Sequence, residues 1–483
     1  MKKVNPIIAL IPLFILVSLL FITIKNFKSD ALSGGIQIVL IASTAIASMF
    51  AMLFCNTKWV DIEDAICNNI RGVSTAIIIL LLIGALSGSW MVSGIVPTMI
   101  YYGMHIIHPD VFLPVCCIVC SIVAIMTGSS WTTIATIGVA LMGIGKAQGF
   151  SEGWIAGAII SGSYFGDKVS PLSDTTLLAS SVTETPLFSH IHYLMYTTVP
   201  SIIITLIVFT VIGFINPVSS LAQIDVFTDS LSDTFHITPW LLIVPIITAF
   251  LIYKKVPSLI TLFISTLMAG LCALIVQPSL LLSISGDTSN ISGGLFKGLF
   301  ITFYSNTSVE TGNEILNNLV MTRGMSGMLN TIWIIICAMC FGGAMQVSGM
   351  LEALTSLLVQ TVKNGIGLVS STVFTGVLLN LVVAEQYVSI VLTGNMFKDI
   401  YRKKGYSSCV LSRTTEDSAT VTSVLVPWNT CGMVQSTVLN VPTLIYIPYC
   451  IFNLLSPIMS IFIMSIGYRI KYTIFTDVDT KES

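Results

Sequence analysis

The chain has 483 residues, 54% of them hydrophobic and only 9% charged, with a mean hydropathy of +0.92. A chain this apolar has too little polar surface to cover its core, which excludes a soluble globular protein. A net charge of −2 gives no attraction for nucleic acid, and apolar runs that are long rather than alternating exclude a membrane β-barrel. An all-α polytopic membrane protein is expected.

In chain order, Met1-Lys2-Lys3 and the apolar run Ile7 to Thr23 have the outline of a signal peptide. The run is longer than an ordinary signal core and no small-residue cleavage site follows, so residues 1–30 are expected to form an uncleaved transmembrane helix. Further spans are expected at about 33–55, 73–96, 111–147, 153–182, 188–216, 238–252, 256–276, 327–348, 366–397, 406–434 and 440–467. Polar or Gly/Pro clusters break four of them: Gly128-Ser129-Ser130, the stretch around Gly162, Gly166 and Pro171, the isolated Glu385, and the stretch before Asn429. The 277–326 segment, rich in Gly, Ser and Asn, is expected to be an external loop with one amphipathic stretch. Eleven cysteines include Cys117/Cys120 and Cys337/Cys340. No His or second CxxC accompanies either pair, so they are small buried residues rather than a zinc site or a disulfide framework. His105, His108, His190 and His192 flank apolar runs and suit the membrane interface.

Charged loops give an orientation. Lys254-Lys255 and the cluster Lys398, Arg402, Lys403 and Lys404 belong on the cytoplasmic side, as do the N-terminal lysines and Arg469/Lys471. The 217–236 linker carries Asp225, Asp229 and Asp233 and no Lys or Arg, which suits the outside. The charges agree if 111–147 and 366–397 each enter and leave on one face. Re-entrant hairpins are therefore expected, two full crossings apiece being the alternative.

The chain also contains itself twice. Val92-Ser93-Gly94 recurs as Val347-Ser348-Gly349, an offset of 255, and Asp174-Thr175 has its counterpart in Asn429-Thr430. Pro186 matches Pro442, and Pro200 matches Pro457. The 73–96 helix runs outward and its counterpart 327–348 runs inward. Two inverted repeats follow, at 31–216 and 237–470, with a cytoplasmic tail at 471–483. Such repeats place a binding site near the midplane, where broken helices meet.

The first break carries Ser173, Asp174, Thr175 and Thr176. Unwound backbone at membrane depth survives only when it lines protein or a cavity. Free carbonyls, hydroxyls and a carboxylate are the oxygen ligands that Na⁺ takes. An ionisable residue at that depth is functional by default, which singles out Asp174 and Asp167. The alternatives are a helix cap for Asp174 and an ion pair with Lys168 for Asp167. In the second half, Asn429 and Thr430 stand where Asp174 and Thr175 do, with Glu416 and Asp417 upstream beside Arg413. Either acid could carry a proton, or Arg413 could neutralise both at the cytoplasmic mouth. Ser129 and Ser130, and Glu385 in the second long segment, are expected at hairpin tips facing these breaks. Glu385, alone in an apolar run, is a further proton or cation site.

Taken together, Gly128-Ser129-Ser130-Trp131-Thr132-Thr133, the stretch from Tyr164 to Thr176, Leu411 to Ser418 and Pro427 to Gly432 resemble the NhaC family of Na⁺/H⁺ antiporters, within a superfamily of inverted-repeat ion transporters. The resemblance covers approximately residues 5–470. It implies a Ser-Asn-Thr motif in each half that builds cation and substrate sites. Here the motifs read Ser173-Asp174-Thr175, with an added charge, and Trp428-Asn429-Thr430, without the first hydroxyl. It also implies that a homodimer is to be considered.

The expected function is secondary antiport of Na⁺ against H⁺ across the bacterial inner membrane, by alternating access and without a cofactor. Asp174 and Thr175, with Ser129, Ser130, Ser173, Thr176, Asn429 and Thr430, form the cation site. Asp167, Glu385, Glu416 and Asp417 are the proton-carrying candidates. The alternative is coupled exchange of a small carboxylate, such as malate or lactate, or of an amino acid, with Arg413 or Lys168 holding the anion. An intramembrane enzyme is not expected, since HExxH is absent and no His is placed to activate a Ser.

Overall fold

The computed structural model describes residues 4–27, 34–215, 221–254, 256–287, 290–311, 316–317, 320–354 and 364–472. Lys2 and Lys3, Lys255, the start of the 217–236 linker, parts of the 277–326 segment and the tail beyond Tyr472 lie outside them. Among the described residues the chain is helical and pairs as β-structure only in two isolated bridges, Thr307–Thr322 and Tyr406–Tyr472. Eight helices are long and apolar enough to cross a membrane, or up to ten if two bent pairs each count as one span.

Helices α1 (Pro6–Phe27), α2 (Gly35–Phe54), α3 (Trp59–Gly72), α4 (Ser74–Val92) and α5 (Ile95–Ile106) open the chain. Composition gave no warning of α3. It is amphipathic, polar outward, and buries Ile62. Gly94, the first half's Val-Ser-Gly glycine, starts α5 at a φ of 85°, and its counterpart Gly349 has a φ of 72°.

The 111–147 stretch is a hairpin. Helix α6 (Phe112–Thr127) ends at Gly128, and α7 (Ser130–Thr133) continues through a π-helical turn (Ile134–Gly138) into α8 (Val139–Ala147). Phe112 at its start stacks on Phe150 at its end, ring centroids 5.5 Å apart, so the chain returns to the face it left. The 366–397 stretch does the same with α18 and α19, placed below.

Helices α9 (Glu152–Val169) and α10 (Asp174–Val182) follow, interrupted at residues 170–173. Gly162 and Gly166 were expected to unwind this segment, yet α9 runs straight through both. Their use is close packing. A Cβ on Gly162 would lie 2.2 Å from the Cys117 carbonyl oxygen, and one on Gly166 2.3 Å from that of Ser121. Small residues thus let α9 and α6 touch backbone to backbone.

After α11 (Leu187–Ile215) come α12 (Leu221–Thr234), α13 (Ile243–Tyr253), α14 (Ser258–Val276), α15 (Pro278–Ser285) and α16 (Ile291–Tyr304). The 217–236 linker is helical over most of its length, as α12. One expectation is corrected here. The described part of the 277–326 segment is not a loop with one amphipathic stretch: it holds α15 and α16 packed together, Gly298 against the Leu281 carbonyl. Gly294 and Gly298 supply small contact surfaces, while Gly286 and Gly324 turn the chain at positive φ.

The second half runs through α17 (Leu329–Val347), α18 (Gly365–Val382) and α19 (Gln386–Lys403). The hydroxyls of Thr372, midway along α18, and Tyr401, near the end of α19, lie 3.1 Å apart, so these two helices pack side by side as a hairpin. A second broken helix follows: α20 (Ser408–Thr415), a π-helical turn (Glu416–Thr420), a 3-10 turn (Ser423–Leu425) and α21 (Thr430–Leu439). Helices α22 (Thr443–Tyr446) and α23 (Ile451–Ser465) close the described chain, bent by 56° between them.

Candidate functional site: an acidic cavity at two hairpin tips

Each hairpin tip packs on the broken helix of its own half. Gly128 takes a φ of 64°, and a Cβ there would strike Leu172 in the first break at 2.6 Å. Ser129 then caps α7, its hydroxyl accepting the Thr132 amide at 3.2 Å. In the second half Ala384 takes a φ of 59°, and Glu385 caps α19 by accepting the Val388 amide at 2.9 Å. The Thr430 amide donates to the Ala384 carbonyl at 2.9 Å, and the Trp428 indole donates to the Leu381 carbonyl at 2.8 Å.

The breaks match in the same way. Ser173 caps α10, and Asn429 caps α21 by accepting the Cys431 amide at 3.0 Å. Their dihedrals are nearly equal, φ −72° and ψ 129° against φ −75° and ψ 146°. As a helix cap, Asn429 matches Ser173, 256 positions before it, rather than Asp174. The offset of 255 that aligns Gly94 with Gly349 gains one residue before the hairpins, whose tips also differ by 256.

Between the tips and the first break lies a cavity of about 520 Å³. Its wall includes Ser129, Ser130, Asp167, Ser173, Asp174, Thr175 and Glu385, joined by Trp131, Gln386 and Tyr387. Seven of the expected site residues thus meet in one place. Asp167 is held by the Ser130 amide at 2.9 Å. The Ser173 and Thr175 hydroxyls are 2.9 Å apart. Asp174 is exposed to the cavity and makes no hydrogen bond or ion pair among the described residues. Tyr387 lies within electrostatic reach of all three carboxylates.

Among the described residues no Lys, Arg or His lines this cavity. The helices begun by α7, α10 and α19 point their N-termini at it, each worth about +0.5 charge. With three ionised carboxylates, roughly −1.5 remains, a field that favours a small cation. Hydroxyl and carboxylate oxygens are also the donors a hard cation takes.

The other expected residues lie behind the wall. Thr176 is buried and donates its hydroxyl to the Lys168 carbonyl at 3.0 Å. Asn429 and Thr430 brace the second tip, the Asn429 amide donating to the Asn380 carbonyl at 3.2 Å. Lys168 does not pair with Asp167. It turns away and forms a fully buried ion pair with Asp417. Nor does Arg413 neutralise Glu416 and Asp417: it is fully buried against the Tyr193 ring, 4.8 Å from its centroid, and its nitrogens have no hydrogen-bond partner among the described residues. Both Glu416 carboxylate oxygens are likewise unpartnered. His190 is not interfacial but fully buried, with Nδ1 2.8 Å from the Ser412 hydroxyl. His105, His108 and His192 are exposed. Sequence inspection missed the cavity residues Thr75, Thr127 and Ser258. Thr127 adjoins the Gly128 break, a usable signal; nothing marks the other two.

Two helical hairpins whose tips meet broken helices around an acidic cavity, inside a bundle of membrane-spanning helices, define a multi-pass secondary transporter. The Na⁺/H⁺ antiporter family model matches residues 162–468, and the chain belongs to that family. It is 34% identical over 431 residues to the Na⁺/H⁺ antiporter NhaC of Alkalihalophilus pseudofirmus, covering 89% of this chain and 90% of the relative. It is 35% identical over 416 residues, 86% of each chain, to a malate-2H⁺/Na⁺-lactate antiporter of Bacillus subtilis. A Halobacterium salinarum arginine/ornithine antiporter is 32% identical over 468 residues, 95% of this chain and 92% of the relative.

Proposed function

We propose that the chain is a secondary antiporter of the bacterial inner membrane that exchanges Na⁺ for H⁺ by alternating access, a carrier rather than an enzyme. The observation that carries this is the cavity wall: three carboxylates, several hydroxyls and, among the described residues, no basic side chain. Asp174, free of partners, would hold Na⁺ with Ser173, Thr175, Ser129 and Ser130, while Asp167 and Glu385 complete the negative wall and carry protons. Na⁺ and H⁺ would exclude each other at these shared carboxylates, which makes the exchange obligatory. The hairpins are read as re-entrant, and both chain termini as cytoplasmic. The cavity is bounded by the starts of α4 and α14, beside Arg71 and Lys254, so it opens to the cytoplasm by the positive-inside rule.

The relatives named for malate and lactate and for arginine and ornithine keep an organic solute as the second reading. Against a carboxylate stands the placement of Lys168 and Arg413, neither of which reaches the cavity. The test is purified protein in proteoliposomes carrying a pH-sensitive dye. Na⁺, Li⁺ or K⁺ is added first, and then malate, lactate or an amino acid. Proton movement on Na⁺ alone supports simple exchange. Movement only after an organic solute is supplied would replace it with coupled exchange.

A further inference from the structure

Lys168, Arg413, Glu416 and Asp417 are fully buried, outside the cavity wall, and their charges are only half matched. Lys168 reaches Asp417 and also donates to the Ser456 hydroxyl at 2.9 Å. The same Asp417 oxygen accepts from Thr197 at 3.1 Å and from Ser456 at 2.9 Å, and its other oxygen is bare. Next along the chain, Glu416 has two bare oxygens. Lys168 is the strongest opposite charge acting on it. Two acids therefore compete for one ammonium group, and here the second has it.

Both acids lie on the π-helical turn Glu416–Thr420, where the Val421 amide reaches back five residues to the Glu416 carbonyl at 3.4 Å. A π-turn is a one-residue bulge in an α-helix and recurs at functional sites. Moving the bulge past Glu416 and Asp417 turns those residues by about 100°, one position of a 3.6-residue turn, and leaves the register of the helix beyond them unchanged. That step brings one acid to the place the other held. A buried ion pair contributes little net stability, and the best-attested use of such a pair is registry or switching.

We propose that Glu416 and Asp417 are alternative partners of Lys168, and that slippage of the π-turn between the two pairings is the register switch of this carrier. Lys168 lies one residue from Asp167, which faces the cavity, so the switch ties the second broken helix to the wall of the ion site. Glu416 and Asp417 act here as positioning residues, through Lys168, and not as ligands. The proposal rests on the carrier function but not on which ion is carried.

The test is the distance between spin labels at Lys58→Cys and Lys403→Cys in the full chain in lipid nanodiscs. Both positions are exposed, and the accessible native cysteines Cys55, Cys67, Cys272 and Cys340 are replaced by Ser. Two distance populations are expected with Glu416 and Asp417 intact. Glu416→Gln should leave only the population of the Asp417 pairing, and Asp417→Asn only the other. A merely structural pair would not lock opposite states. A single population under all ion conditions with both acids intact, or two undiminished populations in Glu416→Gln, would overturn the switch. Glu416 makes no ion pair among the described residues, and Gln keeps an oxygen for the Thr420 hydroxyl of its own turn, so that variant decides even if Asp417→Asn fails to fold. Failure of Na⁺ to move protons, with the two populations present, would sink the ion assignment alone.

Discussion

Ser129 and Glu385 occupy one backbone position in two hairpins. Each follows a residue in the left-handed region, Gly128 at φ 64° and Ala384 at φ 59°, and each caps the returning helix through a side-chain oxygen. Only the charge differs. Glu385→Ser should therefore keep the cap and the fold, with the melting temperature within a few degrees, because Ser serves the same position in the first hairpin. The variant loses one of three cavity carboxylates, so the apparent KM for Na⁺ should rise at least about tenfold, the equivalent of ~1.4 kcal/mol. A titration of dye-reported exchange against Na⁺ measures it, and an unchanged KM would remove Glu385 from the site.

The two preceding residues respond in opposite directions. Gly128→Ala adds a Cβ in a left-handed conformation and drives it into the Leu172 backbone. About 1–2 kcal/mol of backbone strain is expected before the clash is counted, with a lower melting temperature and slower exchange as the tip leaves the break. Ala384→Gly removes an existing strain and should be neutral or slightly stabilising in detergent thermal unfolding.

Removing one member of a buried pair is costly because the other is left as a bare charge. Lys168→Met should destabilise the protein by about 3–5 kcal/mol. Adding Asp417→Asn to that variant should recover part of the loss, and the two effects should not add. Chemical denaturation of the single and double variants checks this.

Competition at shared carboxylates fixes a pH dependence in sign. Fewer protons leave more sites free for Na⁺, so the apparent KM for Na⁺ should fall as pH rises, by up to about tenfold per unit where the site is largely protonated. The maximal rate need not follow. An apparent KM independent of pH would mean that Na⁺ and H⁺ use separate sites.

How much was legible beforehand differs by level. The four breaks followed from isolated polar residues, because lipid permits so few alternatives; the span count did not, since twelve were expected and, among the described residues, eight helices, or up to ten with the bent pairs, are long and apolar enough to cross. The meeting of Ser129, Asp174 and Glu385 in one cavity accords with the expectation that hairpin tips face the broken helices. The partner of Lys168 was not legible: Asp167 is its chain neighbour, but consecutive helical residues point about 100° apart, and Asp417 arrives from the other half. Nor could the repeat offset reveal the register of the breaks. It was anchored at Gly94 and Gly349, before the extra residue enters, and so paired Asp174 with Asn429. Helix α3 and the pair α15 and α16 were hidden by the moderate polarity that also marks loops.

Asp174→Asn in proteoliposomes tests the central claim most directly. Asp174 is unpartnered and exposed to the cavity, so the isosteric change should leave the fold and the melting temperature unchanged. The account predicts that Na⁺-evoked proton movement, present with Asp174, is lost or reduced at least about a hundredfold, near ~2.7 kcal/mol, in the variant. Exchange at an unaltered rate and Na⁺ affinity in Asp174→Asn would contradict it and place the cation site elsewhere.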